Sequence, residues 1–351
     1  MEIAAMLQQC ITINRKNAAW LVLCILLVGG LRFSDGSVLL AIASGQGMHS
    51  EIFSAASTQY LWDSPLKVLL LKLSLPKIIF IAGIFLAVAV LPLAGLFFAE
   101  RGLFFYLTVV AIGLTPALKI SFQNVGVGDG LMYLLIVAAV AADSKAIIFI
   151  AFVLLGTWHP QQAFFIGGSY VICSAAYRDE NFLARAGAAI AGLAVACAIF
   201  VAYKFMLGFE YQGRLGYMTS HMREFLVKNF SIALPVSISY FFLWWLAVRK
   251  KLHAAFFKPY VAAWFLILAV VAGLTTDVTR VLIAISMPML LIPMRQVYLD
   301  AKAANAQELP RFSVWVIAAI MLMPIYSWSG FDIFLWPDLV KDLCKYKVFC
   351  I

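Results

Sequence analysis

Eleven apolar runs set the terms for this chain: residues 19–31, 77–97, 103–119, 131–142, 146–157, 163–176, 186–206, 231–248, 259–274, 280–294 and 312–328. Short polar clusters separate them. Of the 351 residues 64% are hydrophobic and only 12% are charged, with a mean hydropathy of +0.96. A soluble chain of this length cannot cover so much apolar surface, whereas a bilayer can. In hydrocarbon the backbone must satisfy its own hydrogen bonds, which for runs of this kind means helices. The sequence therefore predicts an all-α polytopic membrane protein with about eleven transmembrane helices, an outer-face membrane cavity, and one integral membrane domain over 1–351. The first run follows Arg15-Lys16 without a small-residue cleavage site and reads as a retained span.

The net charge of +9 would point to nucleic acid in a soluble protein, but here topology explains it first. Basic runs mark cytoplasmic loops, and Arg249-Lys250-Lys251 is the strongest. Alternation from an inner N-terminus puts Arg101, Lys145, Arg178, Arg185, Arg295, Lys302 and Arg311 inside and the C-terminus outside. A long outer loop, 32–76, carries interfacial helices, and an outer tail covers 329–351. The outer face keeps Arg32, Arg214, Arg223 and Arg280 among its cations, enough to hold a phosphate. No nucleic-acid partner is expected. The six cysteines show no metal-ligand spacing, and Cys344 and Cys350 share the outer tail, where a disulfide is permitted but not required. Walker, dinucleotide and GxSxG signatures are missing from the chain.

The central pair of runs decides where a site can lie. Residues 131–157 read either as one helix or as a hairpin of two short arms. One helix would carry Asp143 and Lys145 to mid-membrane at roughly 2.5–3.5 kcal/mol each. The hairpin avoids that cost, with arms about 18 Å long at ~1.5 Å per residue, and it is the expected form. It returns the chain to the side it left, so Asp129 in the glycine-rich turn 124–130 and His159 in Trp158-His159-Pro160-Gln161-Gln162 face one compartment. Polar groups at this depth usually face a cavity.

Each candidate residue has a structural role open to it as well. Asp129 precedes Gly130 and an apolar run, so it suits a helix N-cap, itself a place where anions bind. Asp35, four residues past the first run, is either a cap or a catalytic carboxylate. Gln161 and Gln162 suit a sugar or phosphate, or the start of the next helix. Residues 207–230 mix Glu210, Arg214, Tyr217, His221 and Arg223, as a glycan site or an interfacial loop does. Asp277 and Arg280 stand three apart, so Arg280 either pairs with Asp277 along a helix or offers its fork to a phosphate.

Three features in order resemble the polytopic GT-C-type glycosyltransferases, including members like O-antigen polymerases. Asp35 follows the first span, Gly128-Asp129-Gly130 opens a short hairpin ending in His159-Pro160-Gln161-Gln162, and Thr279-Arg280 leads into a span containing Pro288. The likeness covers about 19–170 and 270–295; a paired acidic motif in the first loop and a soluble outer domain are missing from the pattern. The resemblance implies transfer of a sugar from a polyprenyl-phosphate donor to a glycan or lipid acceptor at the outer face of a bacterial cytoplasmic membrane. Asp35 or Asp129 would be the base, and Arg32, His159, Gln161, Gln162, Arg214, Arg223, Asp277 and Arg280 would bind substrate or its phosphate. It requires no cofactor; a divalent metal at Asp129 is compatible with that chemistry but has no ligand spacing behind it. The alternatives are a polymerase using a lipid-pyrophosphate-linked glycan and, from another class, a lipid-linked glycan flippase or other transporter.

Overall fold

The computed structural model describes residues 64–66, 69, 129–177, 181–207, 222–235, 237–239, 258–275, 277–303, 327–329 and 332–334. Arg32, Asp35, Arg214, Cys344, Cys350 and the runs 19–31, 77–97 and 103–119 lie outside the described residues.

Within them the framework is helical. The hairpin is present: α1 (Asp129–Ala141) and α2 (Lys145–Trp158) are separate helices joined by Ala142-Asp143-Ser144. α3 (Pro160–Ala176), α4 (Phe182–Leu207), α5 (Pro259–Gly273) and α6 (Val278–Ala303) follow. Between α4 and α5 a single turn, Met222–Glu224, leads into a nine-residue π-helix, π1 (Phe225–Ala233). A short antiparallel ribbon of β1 (Ser327–Ser329) and β2 (Asp332–Phe334) pairs Trp328 with Ile333 and lies against α6. That ribbon takes Ser327 and Trp328, the end of the run expected over 312–328, into a strand.

Proline and charge set the helix boundaries. Pro160 and Pro259 occupy first-turn positions, where a missing N–H costs nothing and the fixed φ suits a helix. The same ring keeps His159 out of the α region, so α2 must stop there. α1 ends at Ala141 because its last carbonyls are taken from outside the helix. Arg185 of α4 donates to Ala142 O, to Val140 O at 3.0 Å and to Ala139 O at 3.4 Å. A guanidinium on the orphan carbonyls of a helix C-terminus is favourable by charge as well as by hydrogen bonding. Asp143, outside α1, lies 2.6 Å from Arg295 and 3.7 Å from Arg185.

α6 is the centre of the bundle. Every residue from Leu282 to Leu291 is buried, against α1, α3, α5 and π1. Polar side chains within this core close on one another. Trp264 of α5 donates to Ser169 Oγ at 2.9 Å, and Ser169 of α3 donates on to Ile285 O at 2.6 Å. α4 runs along the edge and packs most extensively on α2 through small residues. A Cβ on Gly192 would stand 2.6 Å from the Phe149 carbonyl oxygen, so only glycine fits that crossing. Among the described residues α4 is the one helix long and apolar enough to cross a membrane, and 22% of its apolar stretch is buried.

Several expected boundaries move. α4 starts at Phe182, which takes Arg185 into the helix, since the α1 carbonyls absorb its charge. α3 starts at Pro160 and α6 runs to Ala303, past Pro288 and Pro293. Residues 222–230, expected in a loop, are helical, so Arg223 stands exposed on a helical turn.

Candidate functional site

The relative directions of the helices decide which residues share an end. α1 and α2 are antiparallel arms, so the start of α1 lies at the end of α2. Tyr170 OH of α3 donates to Ala139 O of α1 at 3.3 Å, late in both helices. Ser169, past the middle of α3, meets Ile285 in the first third of α6, and Arg295, late in α6, meets the turn that follows α1. α1, α3 and α6 therefore run parallel and begin at the same end. Asp129, His159, Gln161, Gln162, Asp277 and Arg280 all belong to those three beginnings.

His159 joins α2 to α3 in one residue. Its N–H donates to Leu155 O at 2.8 Å and its carbonyl accepts from Ala163 N at 2.9 Å, so its backbone closes one helix and opens the next. The side chain is buried beside Trp158. Ser64, from the expected outer loop, is buried against the same corner and donates to Thr157 O at 3.0 Å. Gln162 stands in the first turn of α3, and its Oε1 is buried without a hydrogen bond. Asp129 is the first residue of α1; its side chain lies outside the described part of the structure.

The start of α6 carries the best-defined polar group. Arg280, its side chain 5% exposed, donates to Asp277 Oδ2 at 2.9 Å, and the Asp277 side chain is 13% exposed. Of the two roles open to this pair in the sequence, the structure contains the ion pair. Next to it Ser237 Oγ donates to Ala233 O at 2.7 Å, which leaves Thr279 Oγ1, 2.8 Å away, to donate to Ser237.

Sequence reasoning missed Asn229. It lies in π1, fully buried, and its Nδ2 donates to Gly273 O at 2.9 Å and Thr275 O at 2.8 Å. Those carbonyls end α5 and form the turn that leads to Asp277. Phe230 lies over Gly273, where an added Cβ would stand 2.7 Å from the ring. π1 is thus fastened to the turn that carries the ion pair. π-helical segments are rare and concentrate at functional sites. An asparagine just ahead of an apolar run was the only signal in the sequence.

The opposite end of the bundle holds Asp143, Arg185, Arg295 and Lys258, whose Nζ donates to Ala176 O at 2.6 Å. Tyr177 is there too, its phenol pushed up by burial and by the neighbouring Cys173. Every described cation of this group is occupied with helix ends or with Asp143, which is structural work. Among the described residues no group of three His, Cys, Asp or Glu side chains is gathered to hold a metal. Comparison with protein-family models, characterised proteins and solved structures finds no match to this chain.

Proposed function

We propose that the chain is a polytopic membrane glycosyltransferase that takes its sugar from a polyprenyl-phosphate donor at the outer face of a bacterial cytoplasmic membrane. One observation carries the reading: three parallel, neighbouring helices begin at one end, and the candidate base, imidazole, amides and ion pair stand on those beginnings. Helix beginnings carry unsatisfied N–H groups and the positive end of the helix dipole, which together favour an anion. A lipid phosphate fits the His159–Gln162 corner on these grounds. Asp129 is the described position from which a carboxylate would take the proton of an acceptor hydroxyl, with Asp35 as the second candidate. His159 and the α3 N–H groups would stabilise charge growing on the departing phosphate. Orientation rests on the basic run Arg249-Lys250-Lys251, which leads into α5 at the Asp143 end and marks that end as cytoplasmic.

The test is lipid-linked and surface glycan in a deletion strain carrying wild type or Asp129→Asn. Loss of a general base lowers transfer about 10²–10⁴-fold, so the variant is expected to insert normally and leave the acceptor glycan unextended. A glycan lost only as long chains would move the reading to a polymerase. An unchanged glycan in the deletion strain itself would remove glycan assembly and leave transport.

A further inference from the structure

We propose that the level at which α2 ends and α1, α3 and α6 begin is a floor sunk inside the bilayer, about 7–10 Å below the outer end of the apolar stretch of α4, and that the phosphate bound there is one carried on a lipid. This deepens the transferase reading and rests on its membrane placement and on the His159–Gln162 corner as the phosphate site.

α4 is the ruler. Gly192 abuts the Phe149 carbonyl and Ala196 abuts Gly156, so α2 and α4 lie side by side and run the same way. His159, just past the end of α2, is then roughly level with Ile199. α3 runs the opposite way and gives a second reading. Its Gly167 abuts Leu193, which brings Pro160, at the start of α3, roughly level with Phe200. Two separate contacts thus put the corner at the same height.

α4 does not stop there. It continues to Leu207, and Val201, Phe205 and Met206 are exposed beyond the corner, Phe205 at 89%. Residues 186–203 carry no charge, a length of about 27 Å that nearly matches the hydrocarbon core. α1 and α2, with 13 and 14 residues, cover only about 20 Å. Arg185 holds their turn to the start of α4, so the whole shortfall falls at the outer end. Exposed apolar side chains also come close to the corner on other helices: Phe164 in the second turn of α3 and Val270 in the last turn of α5. A bilayer thinned to the short arms would leave Val201, Phe205 and Met206 outside hydrocarbon; a sunken floor keeps them in it. An anion at that depth leaves bulk water, and free phosphate has nothing apolar to offset the loss. A polyprenyl phosphate already has its chain in the hydrocarbon and needs only to sink to the floor.

The test places a nitroxide on the full chain, its native cysteines changed to alanine, at Leu183, Val195, Phe205 or Phe164 in phosphatidylcholine nanodiscs. Depth is read from collisions with oxygen and with a nickel chelate. Phe164 is expected to read as deep as Val195, with Phe205 roughly 15 Å shallower and still favouring oxygen. A label at Val270 serves if the Phe164 variant does not fold. Phe205 in water with Val195 deep would put the bilayer edge at the corner and overturn the sunken floor, with the transferase reading intact. Water at every label would remove the membrane placement and that reading together. Unlabelled wild type is then given polyprenyl phosphate in the same nanodiscs, with and without excess inorganic phosphate. Its affinity is expected to change less than about twofold. Displacement by inorganic phosphate would mean a well open to water and overturn the requirement for a lipid. No binding of polyprenyl phosphate would overturn the phosphate assignment, while the labels alone would decide the depth.

Discussion

α4 and α6 are both long and mainly apolar, yet they occupy opposite situations. α4 lies at the edge with Leu183, Ile190, Val201 and Phe205 exposed, while α6 is enclosed on every side from Leu282 to Leu291. The more continuously apolar of the two is the outer one. α6 carries two prolines, Ser286 and the buried Arg280, and these are tolerated because neighbouring helices meet them. In water the order would be reversed, with the most apolar helix inside. A bilayer would account for the contrast, since lipid would reward the apolar surface and protein would house the polar groups.

The largest expected effect tests that contrast directly. Val195, midway along α4 and 41% exposed, becomes costly as lysine only if its surroundings are lipid. Val195→Lys should then lower insertion of the α4 segment by about 2.5–3.5 kcal/mol, read as the inserted fraction in a translocon glycosylation assay. On a water-facing surface the same change costs within about 0.5 kcal/mol, and that result would break the comparison.

A smaller effect separates the two faces of α4 itself. Gly192 abuts the Phe149 carbonyl, whereas an added Cβ on Gly187 meets nothing within 4 Å. Gly192→Leu should therefore destabilise by about 3 kcal/mol, the upper part of the overpacking range, and Gly187→Leu should leave the melting temperature in nanodiscs unchanged. Equal shifts would place the α2 contact on the wrong face. The smallest effect lies in the core, where Ser169→Ala strips Trp264 of its acceptor and should cost about 1–2 kcal/mol. If the relay is real, Trp264→Phe costs less in the Ser169→Ala background than in wild type.

The hairpin was legible beforehand because the alternative had a price in charge: Asp143 and Lys145 would have crossed the membrane. The shared end of Asp129 and His159 followed from it, since an antiparallel pair leaves its far ends together. The Asp277–Arg280 ion pair was legible as well, in the spacing of three, and the structure contains it. Asn229 was not legible, because its role depends on main-chain carbonyls of Gly273 and Thr275, over forty residues away, and on a π-helical register that no periodicity announces.

By itself the sequence determined a helical, strongly apolar chain, the break at Pro160, and the local pairing of groups three or four residues apart, because these depend on nearest-neighbour sterics, hydropathy and helical period. Tertiary structure alone decided that α1, α3 and α6 begin together, that Arg185 and Arg295 converge on the α1–α2 turn, and that π1 is fastened to the start of α6. Those are contacts between distant segments, fixed by which small and polar side chains allow two helices to approach, and a local pattern holds no record of its partner.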